Sequence, residues 1–160
     1  MTKKEQQQYS YAKATMEDVK GIQQLINTYA AKKKLLPRPL QGLYENVRSF
    51  FVCKNAKSRV IGCCSLQVVW ENLAEIRSLA VDPRYKQKGI GRHLVELCIN
   101  EADSLMIKKV FCLTYEEEFF KKIGFVKTDK QELPHKIWSD CINCPQFPHC
   151  DEIAMLKETA

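Results

Sequence analysis

Glycine and proline are scarce, six of each in 160 residues, which excludes collagen-like and low-complexity chains. No apolar run reaches the roughly 18 residues that a membrane helix needs. The N-terminus, MTKKEQQQ, has no apolar segment after its lysines, so it does not read as a secretory signal. A long Lys/Arg block is also missing, although 25 basic residues against 19 acidic ones leave a net charge of +6. That moderate excess suits an anionic small molecule, and neither a nucleic-acid nor a membrane partner is expected. What is present is 45% hydrophobic and 28% charged residues, enough apolar content to bury a core. Residues 1–160 are the size of one globular domain, expected to be soluble and cytoplasmic.

Cysteine is the exception to this scarcity, with eight in the chain. Cys53, Cys63, Cys64, Cys98 and Cys112 lie within apolar, element-like stretches, where a reduced thiol behaves as a small hydrophobe. Without secretory context, reduced thiols are expected. Cys141, Cys144 and Cys150 fall together in an irregular Cys/Pro-rich stretch, 129–151.

Apolar residues at Val19, Ile22, Leu25, Ile26 and Tyr29 have helical 3/4 spacing, and Thr15 with Asp18 resembles a capping box. Residues 9–14 read as a strand, and LQGLYENV as a short helix after Pro37 and Pro39. SFFVCKN and SRVIGCCSLQVVW are two strands joined by a polar turn, and LAEIRSLAVD is a third. A helix from near Gly89 places Leu94, Leu97, Cys98, Ala102 and Leu105 on one stripe. KKVFCLTY is a buried-type strand, and EEEFFKKIGF a short helix stopped by Gly124. The last strands are expected at 125–128 and 152–157. The order βααβββαβαββ predicts a mixed α/β fold around one sheet.

Chemistry concentrates in AEIRSLAVDPRYKQKGIGRHLVELCINEA, residues 74–102. A strand runs into a basic, glycine-punctuated turn that opens a helix. Gly89 and Gly91 let backbone amides approach a ligand, and the helix start supplies N–H groups and a positive dipole end. Arg84, Lys86, Lys88 and Arg92 add charge. This combination suits phosphate or pyrophosphate, although it is neither a Walker loop nor a dinucleotide fingerprint. Strand alternation places Glu75, Arg77, Leu79 and Val81 on one face. Lys32, Lys33 and Lys34 read as a solvated helix end.

The strand followed by VDPRYKQKGIGRHLVE, then VFCLTYEEEFFKKIGF, resembles the GNAT superfamily of acyl-CoA-dependent N-acetyltransferases. LLPRPLQGLYENVRSFFV and GCCSLQVVWENLAEIRSLAVDP are similar to the short, stand-alone amino-acid N-acetyltransferases, the N-acetylglutamate synthases of bacterial arginine biosynthesis. The resemblance implies a largely antiparallel mixed sheet flanked by helices. It also implies acetyl transfer from acetyl-CoA to the α-amino group of glutamate, with glutamine as a further acceptor. A different acceptor amine, such as a peptide N-terminus, and a non-catalytic acetyl-CoA sensor are the alternatives. Dimers are common in the superfamily, and a homodimer is compatible with this chain.

On that resemblance Lys86, Gln87, Lys88, Gly89, Ile90, Gly91 and Arg92 form the pyrophosphate loop, with Lys86 standing where Gln or Arg is usual. The backbone of Leu79, Ala80 and Val81 pairs with the pantetheine arm, and the Leu79 N–H faces the thioester carbonyl. Glu75 takes the general-base position. Arg38 and Thr114 match substrate-binding positions, and Arg77 offers a second cation for carboxylate. Phe119 and Phe120 replace the tyrosine that often protonates the departing thiolate. Tyr115 is the nearest phenol, and the acid stays unassigned. Cys141, Cys144 and Cys150 have Cys-x2-Cys-x5-Cys spacing beside His149. Zinc or an iron–sulfur cluster is compatible with that spacing, but the second half-site is missing and no metal is assigned.

Overall fold

The computed structural model describes residues 8–133 and 152–159. Its elements are β1 (Ser10–Lys13), α1 (Val19–Ala30), α2 (Leu40–Glu45), β2 (Phe50–Lys54), β3 (Val60–Trp70) and β4 (Leu73–Val81). They continue as α3 (Ile90–Ser104), β5 (Lys109–Thr114), α4 (Glu117–Ile123), β6 (Val126–Lys127) and β7 (Ile153–Glu158). This is the order that the periodicity predicts. The strands form a seven-stranded sheet, β1-β2-β3-β4-β5-β7-β6. The β4–β5 pair is parallel, while β1–β2, β2–β3, β5–β7 and β6–β7 are antiparallel.

Two compact units make up the chain. One comprises Met1–Leu66 with Ile76–Cys98, the other Gln67–Glu75 with Ile99–Ala160. In the first, α1 buries Val19, Ile22, Leu25 and Ile26, as its spacing requires. They pack with Leu43, Phe50, Val52, Cys63 and Ala80. Four successive residues of β2 and the first seven of β3 are buried. Burial on both faces explains why these strands read as apolar runs rather than as alternation. In the second unit Phe111, Leu133 and Ala154 form a smaller cluster with Val69, Leu73, Leu113 and Leu156.

Local chemistry sets the element ends. Thr15 N–H donates to Asp18 Oδ2 at 2.8 Å, and Lys54 Nζ meets Asp18 Oδ1 at 2.7 Å. The first turn after Thr15 is a 3-10 turn, so the α-helix starts at Val19, the first residue of the apolar spacing and later than a cap at Thr15 suggests. Gly124 ends α4 at φ 101°, a left-handed cap that glycine adopts without a Cβ penalty. Leu105 is a correction: α3 stops at Ser104, and Leu105 is exposed rather than on the apolar stripe. Cys53, Cys63, Cys64, Cys98 and Cys112 are free and buried.

Asp82 closes β4. Its carboxylate accepts from Arg84 Nη2 at 2.8 Å, Arg84 Nε at 3.1 Å and the Arg84 N–H at 3.0 Å. The side-chain bonds from Arg84 hold the Asp82 carboxyl below its ordinary pKa. A depressed folded value means that the unfolded chain binds the proton more readily. Stability from Asp82 is therefore complete above the ordinary Asp range and lost as pH falls through the lower folded value. Asp82→Asn is expected to lower the denaturant midpoint at pH 7. The gap to wild type should close on acidification below about pH 4. A gap that persists unchanged in acid would assign the loss to packing.

Candidate active site

The turn after β4 has the backbone form that the anion-binding expectation calls for. Gln87 and Gly89 take positive φ, 61° and 78°, which turns successive amides in one direction. A Cβ at Gly89 would meet no atom within 4 Å, so glycine is required there by its backbone angle and not by crowding. His93 N–H donates to the Gly89 carbonyl at 3.1 Å, the first bond of α3. The amides of Ile90, Gly91 and Arg92 precede that bond and have no intrahelical acceptor. Ile90 itself is buried, while Lys86, Gln87, Lys88 and Gly89 are exposed.

The side chains around the turn do different work. Lys86 Nζ lies 5.4 Å from the Tyr29 ring centroid, and the Tyr29 hydroxyl donates to the Val81 carbonyl. A residue of α1 therefore ties the end of β4 to the basic turn, a link with no signal in the apolar spacing of Tyr29. The Arg92 guanidinium pairs with Glu96 at 3.0 Å. Its charge is therefore partly met within α3 itself.

Within β4, Ser78 adopts φ 53°, a left-handed residue inside a strand of the kind found at bulges. The regular alternation counted from Glu75 to Val81 is interrupted at this point, so one uninterrupted face does not run through all four residues. Leu79 and Val81 are half-buried and Ala80 is buried. Arg38, in the turn before α2, places Nη1 3.5 Å from Ser78 Oγ. Its guanidinium carbon lies 5.5 Å from the Phe50 ring centroid. Arg77 is half-buried on β4.

In the second unit Glu75 is 6% exposed and pairs in register with Phe111 of β5. Thr114 ends β5, and its Oγ1 accepts the Glu116 N–H at 2.8 Å. This ST-type turn uses one lone pair of the hydroxyl and still allows the O–H to donate. Phe120 is 4% exposed and packs edge-on against Phe119 and Phe125. The position that lacks tyrosine is therefore aromatic core. Tyr115 is 40% exposed.

Three of the described thiols are not poised as nucleophiles. Burial pushes Cys53 up to about 11 and Cys63 up to about 12. Burial raises Cys112 further, helped by the negative charges of Glu75 and Glu152. A thiol becomes a nucleophile as its thiolate, and these three are held protonated at neutral pH. Among the described residues no cluster of His, Cys, Asp and Glu could hold a metal ion. Cys141, Cys144 and Cys150 lie outside the described residues. No described helix is long and apolar enough to cross a membrane.

Residues 16–125 match the acetyltransferase (GNAT) family. The chain belongs to that family. An uncharacterized N-acetyltransferase of Chlorobaculum tepidum is 42% identical over 144 residues, covering 90% of this chain and 92% of that protein. An amino-acid acetyltransferase of Mycobacterium tuberculosis is 38% identical over 130 residues, covering 80% of this chain and 74% of its own length. Among solved structures, a Mycobacterium tuberculosis protein in complex with CoA superposes with TM-score 0.82 at 31% identity, covering 94% and 99% of the two chains. The mixed, mostly antiparallel sheet with flanking helices is the GNAT fold, as the resemblance implies.

Proposed function

We propose that this GNAT protein transfers the acetyl group of acetyl-CoA to the α-amino group of L-glutamate, with glutamine as a secondary acceptor. The observation that carries the reading is Arg38, a half-buried guanidinium held beside β4 at Ser78. A fixed guanidinium suits a carboxylate. The relative named amino-acid acetyltransferase supports an amino-acid acceptor, and the CoA complex of a similar chain supports acetyl-CoA as donor. In this reading the activity belongs to the stretch that carries the family match, residues 16–125. The product would place the enzyme in arginine biosynthesis in the cytoplasm.

The pyrophosphate of acetyl-CoA rests on the amides from Lys86 to Arg92, and pantetheine follows Leu79, Ala80 and Val81. Arg38 and Arg77 take the acceptor carboxylates, and Thr114 donates its hydroxyl proton to the acceptor. Glu75 removes a proton from the α-ammonium. The freed amine attacks the thioester carbon while the Leu79 N–H holds the carbonyl oxygen. The nitrogen then gives up its second proton as the C–S bond breaks, and that proton ends on the departing sulfur while Glu75 passes the first to solvent. A thiol of pKa near 8.5 leaves as thiolate with modest help, from Tyr115 or water, so the loss of tyrosine at Phe120 does not stop the reaction. In this reading transfer is direct from acetyl-CoA to the amine, and Cys53, Cys63 and Cys112, held protonated by burial, do not carry the acetyl group.

Thiol release from acetyl-CoA, measured with glutamate, glutamine and a panel of other amines, tests the reaction. Turnover that depends on glutamate is expected. Turnover with a peptide N-terminus alone would replace the acceptor. Acetyl-CoA binding with no turnover on any amine would replace the enzyme by a sensor. Arg38→Ala should raise KM for glutamate about ten- to a hundredfold, the loss of a charge-assisted bond, and leave KM for acetyl-CoA unchanged.

A further inference from the structure

We propose that Ser78 is a positioning residue for Arg38 and thereby sets selectivity for an acceptor bearing a carboxylate. The proposal rests on the reading of Arg38 as the carboxylate-binding group. Arg38 stands between Pro37 and Pro39. Proline fixes its own φ and drives the residue before it into extended backbone. Pro39 accordingly has φ −64° and ψ 146° at the start of α2. The chain on both sides of Arg38 therefore has little freedom, and the remaining question is what holds the long side chain.

Three adjacent strands answer it. Arg38 Nη1 is 3.5 Å from Ser78 Oγ on β4, and its guanidinium carbon lies 5.5 Å from the Phe50 ring of β2. Its charge also reaches the thiol of Cys63 on β3. Cys63 Sγ in turn donates to the Ser78 carbonyl at 3.4 Å. Ser78 thus meets β3 through its backbone and Arg38 through its hydroxyl.

The backbone of Ser78 makes this arrangement specific. At φ 53° it occupies the left-handed region in mid-strand, which a non-glycine residue enters only at a cost met by its surroundings. A regular strand residue would follow the alternation of its neighbours and present its hydroxyl elsewhere. The guanidinium has five N–H donors in a rigid fork, so it can touch Ser78 and still grip a carboxylate. Pre-ordering a flexible arginine lowers the entropic cost when the acceptor binds.

Ser78→Gly keeps the positive φ accessible and removes the hydroxyl together with its Cβ. Ser78→Asn tolerates the same backbone and supplies an acceptor oxygen. Steady-state kinetics with acetyl-CoA and glutamate should show KM for glutamate raised about five- to tenfold in Ser78→Gly. KM for acetyl-CoA, kcat at saturating glutamate and the melting temperature should stay close to wild type, and Ser78→Asn should recover most of the lost affinity. A wild-type glutamate KM in Ser78→Gly, with Arg38→Ala still impaired, would overturn the proposal and leave Arg38 acting unaided. Joint loss of kcat and acetyl-CoA affinity without rescue by Ser78→Asn would overturn it in favour of a structural role. Absence of glutamate-dependent turnover in wild type, or an unchanged glutamate KM in Arg38→Ala, would instead sink the underlying reading and the proposal with it.

Discussion

Glu75→Gln is expected to lower kcat about 10²- to 10⁴-fold, the range for removal of a general base. Glutamine keeps the shape of the side chain and cannot accept the ammonium proton. The amine must then reach the reaction already deprotonated. Residual activity in the variant should therefore climb steadily with pH, more steeply than that of the wild type. Glu75 is 6% exposed on β4 and stands beside Phe111 of β5, so the replacement also tests a buried carboxylate. The melting temperature separates the two effects: a catalytic base can be lost with the fold intact. A fall of less than about fivefold with an unaltered pH profile would remove Glu75 from the base role and hand deprotonation to water or another group.

Gly89→Val is expected to weaken acetyl-CoA binding about ten- to a thousandfold. Gly89 holds φ 78° with open space where a Cβ would stand, so the substitution meets no clash in the empty protein. The penalty has two other sources. A β-branched residue strongly resists positive φ, so the turn must leave its conformation and re-aim the amides of Ile90, Gly91 and Arg92. The new side chain also fills the space that a phosphate would occupy. Losing one backbone bond to a charged group costs about 1.5–3 kcal/mol, and weakening of a second carries the range to its upper end. Titration with acetyl-CoA followed by melting temperature reads the effect directly, because stabilisation by a ligand scales with the logarithm of its concentration over Kd. Wild-type stabilisation of the variant would show that the pyrophosphate rests elsewhere.

These two tests address opposite ends of β4, and they differ in what they leave intact. The Glu75 variant should bind acetyl-CoA normally and fail in chemistry. The Gly89 variant should fail to bind and retain chemistry at saturating donor. A shared defect in both would point to a distorted strand, for which the left-handed Ser78 is the first place to look.

Much of this protein is legible in its sequence because the signals are local. Val19, Ile22, Leu25 and Ile26 repeat at helical spacing and bury one face of α1. Gly124 marks the end of α4, and the apolar runs of β2 and β3 mark interior strands. The basic turn with Gly89 and Gly91 is equally local, since an anion cradle needs only a few consecutive amides and a helix start. That turn and the order of elements around it carry the resemblance to the GNAT family, and the family match over residues 16–125 shows the membership. Leu105 shows the limit, because helical spacing does not say at which residue a helix stops.

Only the tertiary structure could decide the rest. Arg38 and Ser78 are 40 residues apart, and nothing in PRP or in a strand-like serine announces that they meet. Tyr29 and Val81 are 52 residues apart, and Tyr29 reads from the sequence as one more apolar position. The left-handed backbone of Ser78 is invisible to composition, since serine in a strand is expected to be extended. Phe120 could have lined a cleft or filled the core, and its edge-on contacts with Phe119 and Phe125 place it in the core. Residue types and short spacings determine elements and the chemistry of one turn. Which distant side chains share a site depends on how the sheet is ordered, and β5 reaches its place beside β4 only through the parallel crossover that α3 makes possible.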